Sequence, residues 1–510
     1  MYPVSRVELR LIQRSPLLFW VLGCMAYVAS RAPLLPLGFG RDPDAWSMAA
    51  KARRLILEGD YQISRAPGHP VYELVQSLAV VAGGALASNA LTLCFSVLLL
   101  LVVLRLANAA NISDGRWAVA ILAVHPLFWI SSVDSTDFIL ATLLAHLSVL
   151  AALAGSGHWA GALLGLAGAT RIETLGFAAP LFLLGRGIGR ARAAGLAALT
   201  CAVCYAPVAA VYSRSPGPLS DLWVSDFDLP TRARVFATAL WAAVGLVPLL
   251  VLTALLVRER SKIIALLRGR DALTLSVAML LLVYLSVTFV HPTKPTYYVP
   301  ILPLLVIFLV RLASARWRIA IALAFLSYAF AYPDVVDSAR GSLEPSFHWN
   351  NGLVVKDWIA RWNGAHVAEA IDQHRRSGPR VIVLGYWLDP WVYLHPEALP
   401  VTELAPGIPV DRRRSSAYAV ADGTRAVHKL DRSTAEAIVR AGIPLAYAEG
   451  IDKLLHNTYG YDISQLGAEP IQVLDLPFDV AERFALPALL RCGLGDGRAL
   501  VPCVRSAVRH

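Results

Sequence analysis

Charge is the first thing this chain has little of. Asp, Glu, Lys and Arg make up 16% of its 510 residues, against about 25% in an ordinary soluble domain. That shortage excludes a conventional water-soluble protein. The hydrophobic residues, 56% of the chain, are gathered in blocks near the ~20 residues a helix needs to cross a ~30 Å hydrocarbon core. Cysteine is scarce too, six in all. Cys24, Cys94, Cys201 and Cys204 fall in apolar blocks and read as packing residues; Cys492 and Cys503 are left for a disulfide or for two separate thiols. No small-residue cleavage site follows the first apolar block, which therefore reads as a retained span and not a cleaved signal peptide. There is no internal repeat and no nucleic-acid-binding module. The formal net charge of +10 is accordingly read as basic loops on the cytoplasmic side of a membrane protein.

What is present is a succession of apolar blocks, expected as eleven helical spans: about 16–37, 89–106, 117–131, 136–154, 158–170, 174–185, 191–212, 236–257, 272–290, 297–311 and 317–333. The segment 70–87 is shorter and broken by Gly83-Gly84, and is expected as an interfacial or re-entrant helix. With the N-terminus inside, Arg105, Arg116, Arg186, Arg190, Arg192, Arg258, Arg260, Lys262, Arg268, Arg270, Arg311, Arg316 and Arg318 all fall on the cytoplasmic side. The expectation is an α-helical polytopic membrane domain over 1–333 and an extracytoplasmic α/β domain over 334–510, in a bacterial inner membrane. Asn111-Ile112-Ser113 matches a glycosylation sequon, but this topology places it inside.

The ionisable residues of the other face are unusual for their place. Asp42, Asp44, Arg65 and His69 lie in the first outer loop. Asp134 and Asp137 follow in "SSVDSTD", Arg171 and Glu173 in "TRIET", and Lys294, Tyr297 and Tyr298 in "HPTKPTYY". Charges at membrane level are costly unless they line a wet cavity, so each is a candidate functional group. Carboxylates beside cations suit transfer from an anionic, membrane-borne donor: one takes a proton from an incoming hydroxyl, the other stabilises the charge on a departing phosphate.

Here the residues carry a likeness. Asp44-Ala45-Trp46 after the first span, "EGDY" at Glu58–Tyr61, "RAPGHPVYE" after it, "GLAGATRIETLGFAAP" and "HPTKPTYYVPILP" follow in the order of the motifs of the GT-C type glycosyltransferases. The chain resembles that class, which includes protein O-mannosyltransferases and the lipid A aminoarabinose transferase, over about two-thirds of its length. The resemblance implies a polyprenyl-phosphate-linked sugar donor, a glycan, lipid or protein acceptor, and inverting transfer with Asp44 as general base. Two departures leave the substrate open: Ala45 stands where an acid is usual, and no arginine precedes the tyrosines of "KPTYY".

Each candidate has a plainer alternative. Asp44 is the general base or the N-cap of the helix "AWSMAAKARRLILEG"; Asp42 is a second carboxylate or a turn residue with Pro43. Asp134 and Asp137 ligate an acceptor or a divalent metal, or cap the fourth span. Two acids in separate loops are few for a metal. Lys294, Arg171, Arg65 and His69 bind the donor phosphate, or are respectively a solvated lysine, an ion pair with Glu173, and loop anchors. Trp46, Tyr297 and Tyr298 line the cavity or belong to the interfacial aromatic belt. Lys51–Arg54 is expected on a surface helix against anionic headgroups, with Trp46, Ala49, Ala50, Leu55 and Ile56 on its apolar side. The competing class is a transporter or flippase. Those place charges at the midplane of repeated, broken helices, whereas these lie at the outer ends.

Overall fold

The computed structural model describes residues 16–471 apart from 113, 186–188, 215–228, 293, 337–344, 376–377, 379, 396, 411–415, 449–454 and 456–459. Cys492 and Cys503, Arg186 and the Ser113 of the sequon lie outside the described residues. The chain divides into two compact units, residues 1–358 and 359–510.

The first unit is helical. Helix α1 (Pro16–Ala29) is followed by α2 (Pro43–Glu58), whose start and stop are written locally. Asp42 accepts a hydrogen bond from the Asp44 backbone N–H, Pro43 occupies the first turn, and Gly59 ends the helix in the left-handed region at φ 68°. The cap is therefore Asp42, and the Asp44 side chain is left for other partners. The buried face of α2 is Ala45, Trp46, Met48, Ala49 and Ala52, while Ile56 and Leu57 are exposed. The buried face thus shares Trp46 and Ala49 with the expected apolar side and adds Ala45, Met48 and Ala52 in place of Ala50, Leu55 and Ile56; the Trp46 indole N–H is tied to the Gly40 carbonyl at 2.9 Å.

Helix α3 (Pro70–Ala109) is broken where Gly83-Gly84 predicts, with Gly84 at φ 57°, ψ −140°. The break is a reversal. Gln76 bonds Ser88 at 2.8 Å and Thr92 at 3.1 Å, although twelve residues of straight helix would hold them about 18 Å apart. Residues 70–82 therefore fold back on residues 85–109. The polar seam continues from Ser88 to Ser135 and from Ser135 to Asn89, which holds the carbonyls of Leu35 and Gly38.

Then come α4 (Gly115–Val124), α5 (Pro126–Ser131), α6 (Phe138–Leu153), α7 (Gly157–Thr170), α8 (Ala178–Leu184) and α9 (Arg190–Arg214). The expected span 117–131 is two helices because His125-Pro126 stops the first one. Arg31 closes that break: buried between the Tyr27 and Trp129 rings, it donates to the Ala123 carbonyl at 2.7 Å. Helices α7 and α9 meet backbone to backbone, since a Cβ on Gly161 or Gly165 would run into Ala193 or Ala197. Cys201 is buried in this seam, while Cys24 and Cys94 are exposed on the outside of the bundle and not packed within it.

The unit continues with α10 (Leu229–Val244), α11 (Leu246–Arg258), α12 (Arg260–Arg268), α13 (Ala272–Val290), α14 (Leu302–Leu312) and α15 (Ala315–Phe330). Where the sequence leads one to expect eleven spans, four helices among the described residues are long and apolar enough to cross a membrane, or five counting a pair bent by 85° at Gly245. The difference arises because several apolar blocks fold as helices of 10–17 residues, at most about 26 Å long against a ~30 Å core. At the start of α13, Asp271 pairs with Arg311, Lys262 reaches the Arg311 carbonyl, and Arg318 pairs with Asp114. The far end of α13, roughly 28 Å away, leads into Lys294. A hairpin of β1 (Ala331–Val336) and β2 (Pro345–Asn351) follows α15.

The unit boundary falls within α16 (Leu353–Arg375). The second unit contains β3 (Val381–Val383), α17 (Leu388–Leu394), β4 (Leu399–Pro400), β5 (Glu403–Ala405), β6 (Ile408–Pro409), β7 (Ala417–Ala419), β8 (Arg425–Val427), α18 (Arg432–Arg440), β9 (Leu445–Ala448) and β10 (Glu469–Ile471). Its main sheet has the order β10-β9-β3-β8-β7-β4, parallel from β10 to β8 and antiparallel beyond. Val381, Ile382 and Val383 are fully buried, as a central parallel strand requires. Trp391, in the aromatic run 384–397, is buried core.

The Gly84 conformation is open essentially to glycine alone, so Gly84→Ala is expected to cost about 1–3 kcal/mol, read as a lower thermal midpoint of the purified protein. Gly195→Ala, on an open face of α9, leaves that midpoint unchanged or raises it.

Candidate active site

Five chain segments converge at the ends of the helices; one is the Lys294 stretch between α13 and α14, and the other four are each held by local chemistry. The first, residues 38–44, is pinned by the Trp46 bond to Gly40 and by Ser135 N–H donating to the Phe39 carbonyl at 2.8 Å. Gly40, at φ 144°, lies where any Cβ would overlap the buried Asp134 carboxylate, so the loop and Asp134 pack directly on each other. The second segment, 61–69, runs back over α2 to the start of α3. The third is the Asp137 turn at the N-terminus of α6. The fourth joins Arg171, at the end of α7, to Glu173.

These segments bring together an alternating series of charges. Lys294 Nζ lies 2.9 Å from both Asp42 oxygens and also contacts Asp44. Arg65 spans the gap between Asp44 and Asp137 with its two terminal nitrogens. Arg171 meets Asp137 at 2.9 and 3.0 Å and turns its other edge to Glu173. The Arg171 guanidinium also lies 3.9 Å over the Phe138 ring and 5.1 Å from the Tyr297 ring. Arg65 Nε donates to His69 Nε2 at 2.9 Å, which places the imidazole proton on Nδ1. That nitrogen faces the Thr170 carbonyl at 2.8 Å and Asp137 at 3.1 Å.

Asp137 occupies the cap position of α6 without a capping hydrogen bond; its oxygens are taken by Arg65, Arg171 and His69. Asp42 is a cap and a Lys294 ligand at once. The predicted Arg171–Glu173 pair forms, and Arg171 holds Asp137 as well. Trp46 lies buried as the prop of the first loop, Tyr298 is buried, and Tyr297 stands against Arg171. Sequence reasoning passed over Phe138 and Glu73. Glu73 carries the same signal as the others, an ionisable residue opening an apolar helix.

The series has an open end and a closed end. The side chains of Lys294 and Asp44 are 27% and 26% exposed, those of Arg171 and Asp137 only 4% and 2%. Burial pushes the Asp44 carboxyl up, but Arg65 and Lys294 overcome it and hold it below the ordinary carboxylate range. Burial draws Lys294 down while Asp44 and Asp42 raise it above its ordinary value, and Arg65 is raised by Asp137 and Asp44 against the same burial. Asp44 is thus an ionised carboxylate within reach of solvent, set between two cations. Among the described residues no group of three or more His, Cys, Asp or Glu side chains could hold a metal ion.

Two solved structures are similar to this chain: ArnT from Cupriavidus metallidurans in the apo state, at 16% identity and a TM-score of 0.46, and the same protein bound to undecaprenyl phosphate, at 14% and 0.48. Each comparison covers 74% of this chain and 84% of the solved one. No family model matches the chain, and no curated protein matches it.

Removing the charge of Asp137 leaves the buried Arg171 only Glu173, and the partly exposed Arg65 only Asp44, as carboxylate partners. Asp137→Asn is expected to lower stability by less than the about 3–5 kcal/mol that a wholly unpaired buried charge costs, measured as the thermal midpoint in detergent. Glu173→Gln, which leaves Arg171 its Asp137 partner, loses less.

Proposed function

We propose that the protein is a membrane glycosyltransferase that moves a sugar from a polyprenyl-phosphate donor to the hydroxyl of a glycan, lipid or protein acceptor. The observation that carries this reading is the Asp44 carboxylate, half-open and set between Arg65 and Lys294. A base and two phosphate-binding cations then stand within one side chain's reach of each other. The motif resemblance supports the same class, and the depth of the network at the helix ends suits a donor whose phosphate surfaces from the bilayer.

In the proposed reaction the acceptor oxygen attacks the anomeric carbon as its proton passes to Asp44. The bond from that carbon to the phosphate oxygen breaks, and its electron pair leaves with polyprenyl phosphate. Lys294 and Arg65 take up the growing charge, backed by Arg171. Attack from the face opposite the phosphate inverts the anomeric centre. Asp137, closed in by three partners, orients Arg65 and Arg171 and takes no proton. Asp42 holds Lys294 beside Asp44, and Tyr297 offers a ring edge to the sugar or the isoprenoid. The reaction is placed on the outer face of a bacterial inner membrane, with the N-terminus cytoplasmic and the second unit outside. The Asp271–Arg311 and Asp114–Arg318 pairs at the opposite helix ends fit a cytoplasmic side rich in arginine.

The test follows release of polyprenyl phosphate from a panel of polyprenyl-phosphate sugars by purified protein. Wild type is expected to release it, and Asp44→Asn to fall by at least a hundredfold, within the range general-base removal costs, at unchanged protein level. Because Asp44 competes with phosphate for Lys294 and Arg65, the same variant is expected to bind polyprenyl phosphate more tightly than wild type. Release by Asp44→Asn at the wild-type rate removes Asp44 as the base.

The pH dependence has a definite sign. A carboxyl held below its ordinary value of 3.8 is fully ionised above that value and is lost as base only when pH falls through its lower, native one. The kcat/KM profile is therefore expected to show no acid limb from Asp44 between about pH 5 and 8. In the donor complex the phosphate draws both cations, so the acid limb of kcat moves to higher pH. A kcat limb at lower pH than that of kcat/KM contradicts the scheme.

A further inference from the structure

Between Tyr61 and Arg65 the chain crosses from α2 to α3, and Ser64 is gripped from both helices. From α2, Ser47 Oγ and Lys51 Nζ donate to the Ser64 carbonyl at 3.0 and 3.2 Å. From α3, one oxygen of Glu73 accepts the Ser64 N–H at 2.9 Å and the Ser64 hydroxyl at 2.5 Å. The other Glu73 oxygen accepts the Tyr61 hydroxyl at 2.5 Å. Burial, and then the carboxylate itself, hold the Tyr61 phenol above its ordinary value, so it stays a donor. Glu73 is only 4% exposed. The donors it accepts from, on Tyr61 and Ser64, are neutral, and it lies in the first turn of α3, where the helix dipole favours an anion.

The residue after this clamp is Arg65, whose guanidinium must reach Asp44 on one side and Asp137 on the other. An arginine side chain has many rotamers, and fixing one of them costs conformational entropy. A clamped peptide at Ser64 removes the backbone share of that freedom. We propose that Glu73, acting through Ser64 and Tyr61, is a positioning residue that aims Arg65 at the donor phosphate. The inference rests on the donor reading above. It also moves Lys51 from contact with lipid headgroups to the underside of the site.

The test measures binding of farnesyl phosphate, with farnesol as the uncharged control, to the full-length protein in detergent. Glu73→Ala is expected to weaken farnesyl phosphate at least tenfold and leave farnesol unchanged. Glu73→Gln keeps an acceptor oxygen for Ser64 and is expected to stay within threefold of wild type. In an Arg65→Gln background, Glu73→Ala is expected to add nothing, because the group it aims is gone. A further loss in that background, or equal loss with farnesol, means general loosening and overturns the proposal. So does wild-type affinity in Glu73→Ala. Should Glu73→Ala fail to fold, the Tyr61→Phe, Ser64→Ala pair removes the same hydroxyls and is expected to give the same selective loss. A wild type that binds farnesol and farnesyl phosphate equally overturns the donor reading itself, an outcome distinct from the others.

Discussion

One buried carboxylate holds the charged network together. Asp137, 2% exposed, is shared by Arg65 and His69 of one loop and by Arg171 of another. A guanidinium buried alone is expensive, and so is a carboxylate; paired and hydrogen-bonded, they are tolerable. That requirement makes the arrangement all-or-none. The loop at 61–69 can only lie where Arg65 reaches Asp137, and the turn after α7 only where Arg171 does.

From that anchor the charges alternate outward to Asp44, Lys294 and Asp42, and exposure rises from Asp137 through Arg65 to Asp44 and Lys294. In the proposed reaction this gradient divides the labour: Asp137, at the closed end, holds geometry, and Asp44, at the open end, is the carboxylate assigned to substrate. Beneath them lies a neutral polar seam, Gln76–Ser88–Ser135–Asn89, which fixes the two arms of α3 to the first loop and so sets the height at which Asp42 and Asp44 stand.

Much of the candidate site was legible residue by residue. Asp42, Asp44, Arg65, His69, Asp137, Arg171, Glu173 and Lys294 stand out because ionisable groups in an apolar chain need a reason, and the structure gathers them in one network. Apart from the Arg171–Glu173 pair, their partners were not legible. Asp44 looks like a cap in the sequence, yet Asp42 caps, because Pro43 takes the first turn and the helix starts two places earlier. The buried face of α2 was legible at Trp46 and Ala49 but not at Ala45, Met48 and Ala52, whose burial depends on what packs against them.

The sequence by itself determined the class of molecule, the break at Gly83-Gly84 and which ionisable side chains would gather at one set of helix ends. These follow from composition and from local backbone rules, which act over a few residues. Only the tertiary structure decided that the arms of α3 fold back, that several apolar blocks form short helices, and that Arg65 faces two carboxylates 21 and 72 positions away. Such pairings depend on distances across the bundle, and burying charge makes them obligatory without naming in advance which opposite charge will be there.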